Sequence, residues 1–424
     1  MTRPTVAIIG TGAAGLACGH FLHDRFDLTL YEKNDYIGGH ANSVTVSYGG
    51  ETVRFDTAFV VFNNAAYPLF MRLLEELKVP NTYCPMSFSF QIEPDGLQYM
   101  TRGLTYCFCD LKNLRSWRFL KMLFEMVKFH RQAREVLTEP QYRELSIAAY
   151  LSARGYSNDL VQRFLIPLIA VTWSLPPEEM LEYPVLTLVE FLDHHGALQG
   201  VMGRKHWRTV VNGSRSYVDR ISEPFRDRIL VNRGVTHVRR GNGAVEVEDV
   251  RGERRRFDHL ILACHADQAF ALLADPTPDE RELLGRFRYH RSQVLVHADP
   301  SLMPRNRRHW AGWNYHVEYD RDRRPRSSTT YHMNTLQKVS ETTDYFVTFG
   351  DTSRVDTGKV LKDLSYEHPI FDLAAIHAQA KLHMLNRNGR TFFCGSYFKY
   401  GFHEDAFRAG LEVCRALTRE PIWK

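Results

Sequence analysis

The sequence contains no run of about 18 apolar residues, so a membrane-spanning helix is excluded. No apolar leader segment precedes the strand that begins by Thr5, so no secretory signal is expected. Cysteine is scarce: Cys18, Cys84, Cys107, Cys109, Cys264, Cys394 and Cys414 are odd in number and irregular in spacing. The Cys107-x-Cys109 pair has no second pair at zinc-finger distance. A disulfide framework and a metal site are therefore not expected, and a reduced, cytoplasmic chain is. Charge is nearly balanced, 54 Lys and Arg against 49 Asp and Glu, so composition gives no argument for nucleic acid. Internal repeats and low-complexity segments are lacking too.

What is present is globular. Hydrophobic residues make up 44% of 424, enough for a core, and the length fits two or three domains at roughly 100–200 residues each. Thr5 to Ile9 is a short apolar run without alternation, the mark of a parallel strand buried on both faces. A Gly-rich turn, a helix from about Ala13 to Asp24 and a strand from Leu28 to Glu32 follow, making a right-handed βαβ unit. The runs 44–48 and 51–55 flank Gly49-Gly50 as a hairpin. Helices are expected near 67–79, 115–137 and, broken by Pro167, Pro176, Pro177 and Pro184, over 145–198. Strands are expected over 229–238, 244–250, 254–257 and 259–264, then a helix over 266–273. Thr391 to Cys394 is a last buried strand, followed by a Gly-rich turn and a helix from Glu404 to Leu417.

Gly10-Thr11-Gly12-Ala13-Ala14-Gly15 is G-x-G-x-x-G between a strand and a helix, the context this dinucleotide motif needs. Gly10 permits the tight turn, Gly12 lets a pyrophosphate approach the backbone, and Gly15 lets helix and strand pack closely. The helix N-terminus suits phosphate. Glu32, ending the second strand, is placed to accept from ribose hydroxyls and to repel a 2′-phosphate.

Beyond Glu32 the chain reads Lys33-Asn34-Asp35-Tyr36-Ile37-Gly38-Gly39-His40. Here it resembles the flavin-containing amine oxidase and carotenoid desaturase superfamily, in which a Gly-Gly and usually an Arg follow the acid near the FAD pyrophosphate. His40 replaces the Arg. Asp56-Thr57-Ala58-Phe59 resembles the loop beside the isoalloxazine, with Ala58 where Gly is usual, and Val60 continues it. Val235 matches the strand that contacts adenine. Gly401-Phe402-His403-Glu404-Asp405-Ala406, with Ala409-Gly410, resembles the C-terminal flavin motif. The resemblance implies FAD, bound also through Lys33, Ser43, Gly395 and Ser396. It implies an α/β fold: a Rossmann-type FAD-binding domain, like that of glutathione reductase, formed by 1–80, 205–290 and 385–424. A mixed α+β substrate domain, 81–204 and 291–384, is then inserted in it.

Trp173-Ser174-Leu175-Pro176, His206-Trp207-Arg208-Thr209-Val210 with Gly213-Ser214, Trp313-Asn314-Tyr315-His316 and Tyr331 to Gln337 resemble a subgroup of FAD-binding oxidoreductases associated with methyltransferases of cyclopropane and methyl-branched fatty acids. This implies a lipid or fatty acyl substrate, an acyl methyltransferase as partner, and desaturation by hydride transfer to flavin. Alternatives are a flavin-dependent double-bond isomerase, an amine oxidase, or a non-catalytic FAD-binding partner of the methyltransferase. Amine oxidases commonly carry a lysine in the strand resembling Arg291 to His297. Its absence here favours C–C chemistry. Tyr397, Tyr400 and His316 are the leading candidates to touch the reacting atoms, with Tyr331, His332 and His403 behind them.

Finally, Arg115, Arg118, Lys121, Glu125, Lys128 and Gln132 form one polar stripe, and Phe119, Leu120, Met122, Leu123, Phe124, Met126, Val127 and Phe129 a wide apolar arc. The stripe is expected to be a solvated face over the core. The alternative is peripheral contact with an anionic membrane, on the inner face.

Overall fold

The computed structural model describes residues 3–93, 95–101, 110–173, 180–194, 198, 206–241, 243–322, 324–387 and 389–423. The Ser174-Leu175-Pro176 motif, Pro177, Cys107 and Cys109 lie outside the described residues, as do the side chains of 111, 172 and 173.

A five-stranded parallel sheet draws on both ends of the chain. Its order is Ile229–Leu230, Asp27–Tyr31, Thr5–Ile9, His259–Leu262 and Thr391–Phe393. Both faces are covered, which is why the first strand is a continuous apolar run. Val6 and Ile8 pack with Leu16, Phe225 and Phe407 on the helical side, and Ala7 and Ile9 with Val238, Val247 and Leu262 on the other. That other layer is an antiparallel sheet of Val235–Gly241, Ala244–Asp249 and Arg254–Phe257. The helical layer includes Ala13–Leu22 and His403–Thr418. They cross so closely that a Cβ on Gly410 would lie 2.5 Å from the Ala14 carbonyl oxygen.

The second large sheet has seven strands, in the order Val360–Ile370, Arg288–His297, Phe346–Gly350, Pro325–His332, Trp313–Tyr319, Phe88–Ile92 and Leu97–Met100. Only the pairing of Trp313–Tyr319 with Phe88–Ile92 is parallel. Phe90, Ile92 and Tyr99 bury against helical side chains that include Phe119, Met122, Phe129, Tyr150 and Ile169.

The α/β class stands, and four details differ from expectation. The helix expected over 115–137 is Trp117–Gln132, started by Ser116, whose hydroxyl accepts from the Phe119 N–H at 3.3 Å. Residues 145–198 form several pieces, with a π-helical turn at Val161–Leu165. The strand expected over 229–238 breaks in two, because Asn232 turns the chain at φ +54°. The strand Arg288–His297 runs through the expected domain boundary at 290, since it pairs along its length with Val360–Ile370.

Candidate cofactor and active site

The first βα turn is built by three glycines with three different reasons. Gly10 has φ +100°, and a Cβ there would meet the Ala263 carbonyl oxygen at 2.6 Å. A Cβ on Gly15 would lie 1.9 Å from the Gly10 oxygen. Gly12, by contrast, would meet nothing within 4 Å, because it faces open space. It is also the N-cap of the Ala13–Leu22 helix and supplies no side-chain cap, so the helix presents N–H groups and the positive end of its dipole there.

That open space is a cavity of about 950 Å³, at the large end of the roughly 300–1,000 Å³ usual for ligand sites. Gly10, Gly12, Ala13, Ala14, Glu32, Lys33, Gly38, Gly39 and His40 line one end, with Val235 beside them. The Glu32 carboxylate is held at both oxygens: Oε2 accepts from the N–H (3.1 Å) and hydroxyl (2.5 Å) of Thr11, and Oε1 from the N–H and side-chain amide of Asn34, each at 2.9 Å. The loop Ala58-Phe59-Val60, the turn Gly395-Ser396-Tyr397 and the helix start His403 and Ala406 line another stretch of wall. Met86, Phe88, Val171, Phe191, Trp207, Trp313, Tyr331, Phe349 and Phe402 complete an apolar part.

Three buried polar atoms on this wall have no hydrogen-bond partner among the described residues: His40 Nε2, His368 Nδ1 and the Tyr397 hydroxyl. Buried polar groups are normally paired, so such atoms mark a place where a ligand supplies the partner. Burial, then the neighbouring His368 ring, holds the His40 imidazole far below its usual value; burial, then His265, holds that of His368 at about 4. Both are neutral at pH 7, so each ring carries one N–H to donate. Burial raises the Tyr397 phenol well above its usual value and keeps its proton on.

The loop before Phe59 is fixed from below. Asp56 accepts from the N–H and hydroxyl of Ser214, from the Ser43 hydroxyl and from the Gln337 amide. The Thr57 hydroxyl donates to the Asn42 carbonyl and meets the Tyr366 hydroxyl at 2.5 Å. At the closing helix, His403 stacks on Phe59, centroids 3.9 Å apart at 11°, and its Nε2 meets the Tyr217 hydroxyl at 2.7 Å. Burial pushes His403 down to about 3.

Several expected site residues fall elsewhere. Gly15 and Ser43 support the wall and do not line it. Glu404 accepts from the Leu69 and Phe70 N–H groups, capping the Pro68–Glu76 helix. Asp405 accepts from the Phe402 N–H at 3.0 Å, capping its own helix. Of that motif, only His403 and Ala406 meet the cavity together with Gly401 and Phe402. Tyr400 is turned away and donates to Glu190 at 2.7 Å. His316 is buried beside Arg354, its Nε2 3.3 Å from the guanidinium, outside the cavity lining. His332 is engaged by Asp344 and Thr335. Tyr397, Tyr331 and His403 remain on the wall. Sequence reasoning missed Tyr366 and His368, whose alternation on Val360–Ile370 turns both to the cavity. It also missed His265, stacked on Tyr289 at 4.3 Å just past a buried strand.

A family model described as flavin containing amine oxidoreductase matches residues 13–309. A putrescine oxidase structure with putrescine bound superimposes with a TM-score of 0.67 over 99% of both chains at 15% identity. Cyclohexylamine oxidase from Brevibacterium oxydans gives 0.68 over 98% of this chain and 99% of that one, at 16% identity. A fatty acid isomerase from P. acnes that produces CLA gives 0.65 over 98% of each, at 15% identity. At these identities the likeness is one of fold. No curated protein matches the chain.

Proposed function

Because the chain belongs to the flavin-containing amine oxidoreductase family and is an FAD-dependent oxidoreductase, we propose that it desaturates a fatty acyl chain, unsaturated or methyl-branched, carried on a phospholipid. The Gly10–Gly15 turn with the helix N-terminus would hold the pyrophosphate, Glu32 a ribose, His40 a phosphate oxygen, and the Gly395–Tyr397 turn with His403 the ring end. When bound, the flavin supplies a two-electron acceptor for a hydride.

The observation that carries the acyl reading is the lining of the apolar part. Met86, Phe88, Val171, Phe191, Trp313, Phe349 and Phe402 offer surface for an alkyl chain and exclude water. Among the described residues, the carboxylates on the wall are Glu32, held by Thr11 and Asn34, and Glu367, beside His265 at 3.4 Å. A protonated amine entering the apolar part would therefore lose water without gaining an anion. Lys33 is the lining lysine among the described residues and sits beside Glu32; Arg291 to His297 carries none. The Tyr397 hydroxyl, buried and without a partner among the described residues, is a proton-bearing group on the same cavity wall.

Desaturation removes two hydrogens from the chain. Anaerobic mixing of the holoenzyme with phosphatidylglycerol bearing a monounsaturated chain should bleach the flavin and yield a product two hydrogens lighter. The fatty acid isomerase among the structural neighbours favours one second reading, for which product mass would stay unchanged while the double bond moves. Bleaching by putrescine or cyclohexylamine, with lipid inert, would overturn both.

A further inference from the structure

We infer that the helix Trp117–Gln132 docks the protein on an anionic lipid surface. This helix is amphipathic in an unusual sense. Its buried side carries Phe119, Met122, Met126 and Phe129. Its one carboxylate, Glu125, is on that side too and accepts from the Ser157 hydroxyl. The outward side is only in part the solvated polar stripe that the sequence pattern predicts: Arg115, Arg118 and Lys121 are exposed, while Glu125 is buried and Lys128 and Gln132 are half-buried. Trp117 is 76% exposed and Phe124 72%, with Leu114 and Val127 about half exposed. Lys121 and Arg131 alternate with them, so 117, 121, 124, 128 and 131 follow at helical steps of four and three.

Exposed apolar residues scattered singly need no explanation, but a contiguous patch does. Four of the nine large apolar residues that are exposed among the described residues fall on this helix and the turn before it. The chemistry of the patch selects the partner. Aromatic and aliphatic side chains interleaved with cations, the one neighbouring carboxylate Asp159 being paired with Arg118 and Arg163, match the interface of an anionic bilayer with a helix lying in its plane. Arg118 is taken up by a bidentate pair with Asp159 at 2.7 and 3.1 Å, whereas no ion pair is formed by Arg115, Lys121 or Arg131 among the described residues. A second copy of the chain is a poor occupant, because a two-fold contact would set these cations against their own images. The buried side of the helix leads inward through Phe119, Tyr99 and Phe90 to Phe88 on the cavity wall.

The test uses the full-length, flavin-loaded protein and vesicles of phosphatidylcholine with roughly a third phosphatidylglycerol. The protein should sediment with these and not with pure phosphatidylcholine. W117A/F124A should weaken sedimentation on the order of tenfold, and K121E about fivefold, both keeping their FAD. K121E/R131E serves if the aromatic variant fails to fold. Equal sedimentation of parent and variants, or none by the parent, would overturn the proposal. So would a parent dimer that W117A/F124A converts to monomer, which would assign the face to a second copy.

Discussion

At the scale of single residues, Gly12 and Gly15 separate binding from folding. A side chain at Gly12 points into the cavity and meets no protein atom. G12V should therefore fold like the parent while weakening FAD on the order of 100-fold, the worth of one or two charge-assisted hydrogen bonds. G15A drives a methyl into the Gly10 carbonyl and should lose about 3 kcal/mol of stability, read by urea denaturation. His297 gives a pH signature away from the site. It is fully buried, with Nε2 donating to the Thr348 hydroxyl and Nδ1 accepting from the Asp299 N–H, and burial pushes it down to about 4. Its folded value lies below the unfolded one near 6.5. Its contribution is thus full above pH 6.5 and is lost as pH falls toward 4, at about 1 kcal/mol per pH unit. H297Q should flatten the fall of stability in that window, measured by urea titrations at several pH values; an unchanged slope would show that His297 is not held neutral. The residues that local rules govern were legible: the three glycines and Glu32 act within one turn. Tyr366 and His368 were not, because their strand meets the cavity through its pairing with Arg288–His297, more than 50 residues away in sequence.

At the scale of elements, the closing helix depends on contact with the first one. Gly410 approaches the Ala14 carbonyl so nearly that G410V should cost about 1–3 kcal/mol. It should also loosen FAD, since both helix starts lie on the cavity; tighter FAD binding would contradict this. The acids of this helix also serve the fold. Glu404 and Asp405 occupy helix positions where a motif suggests cofactor contact, yet backbone N–H groups claim both. Burial raises Asp405 to about 7, consistent with a cap shut away from solvent. The Trp117–Gln132 helix was legible in its presence and amphipathicity but not in its ends or in the burial of Glu125. Periodicity defines two faces, and the burial of Phe119, Met122, Met126 and Phe129 turns one of them in, with Glu125 bonded to Ser157 among them.

At the scale of the whole molecule, the cavity is assembled from pieces more than 300 residues apart, from Gly10 to Ala406. A ligand held by all of them should act as a fastener. FAD at 100 times its dissociation constant should add about 2.7 kcal/mol, or roughly 3 °C in Tm for a chain of this length. The βαβ start, the final strand and helix, and the fold class were legible because buried parallel strands and glycine turns carry strong local patterns. The seven-stranded sheet was not legible, because its order depends on long-range pairing.

The central claim is that this cavity holds FAD with its pyrophosphate against Gly12. Calorimetric titration of FAD into flavin-free protein tests it most directly, with G12V alongside. One FAD per chain is expected for the parent and little or none for a folded G12V. A parent that stays colourless and takes up no FAD, or a G12V that binds as tightly as the parent, would contradict it.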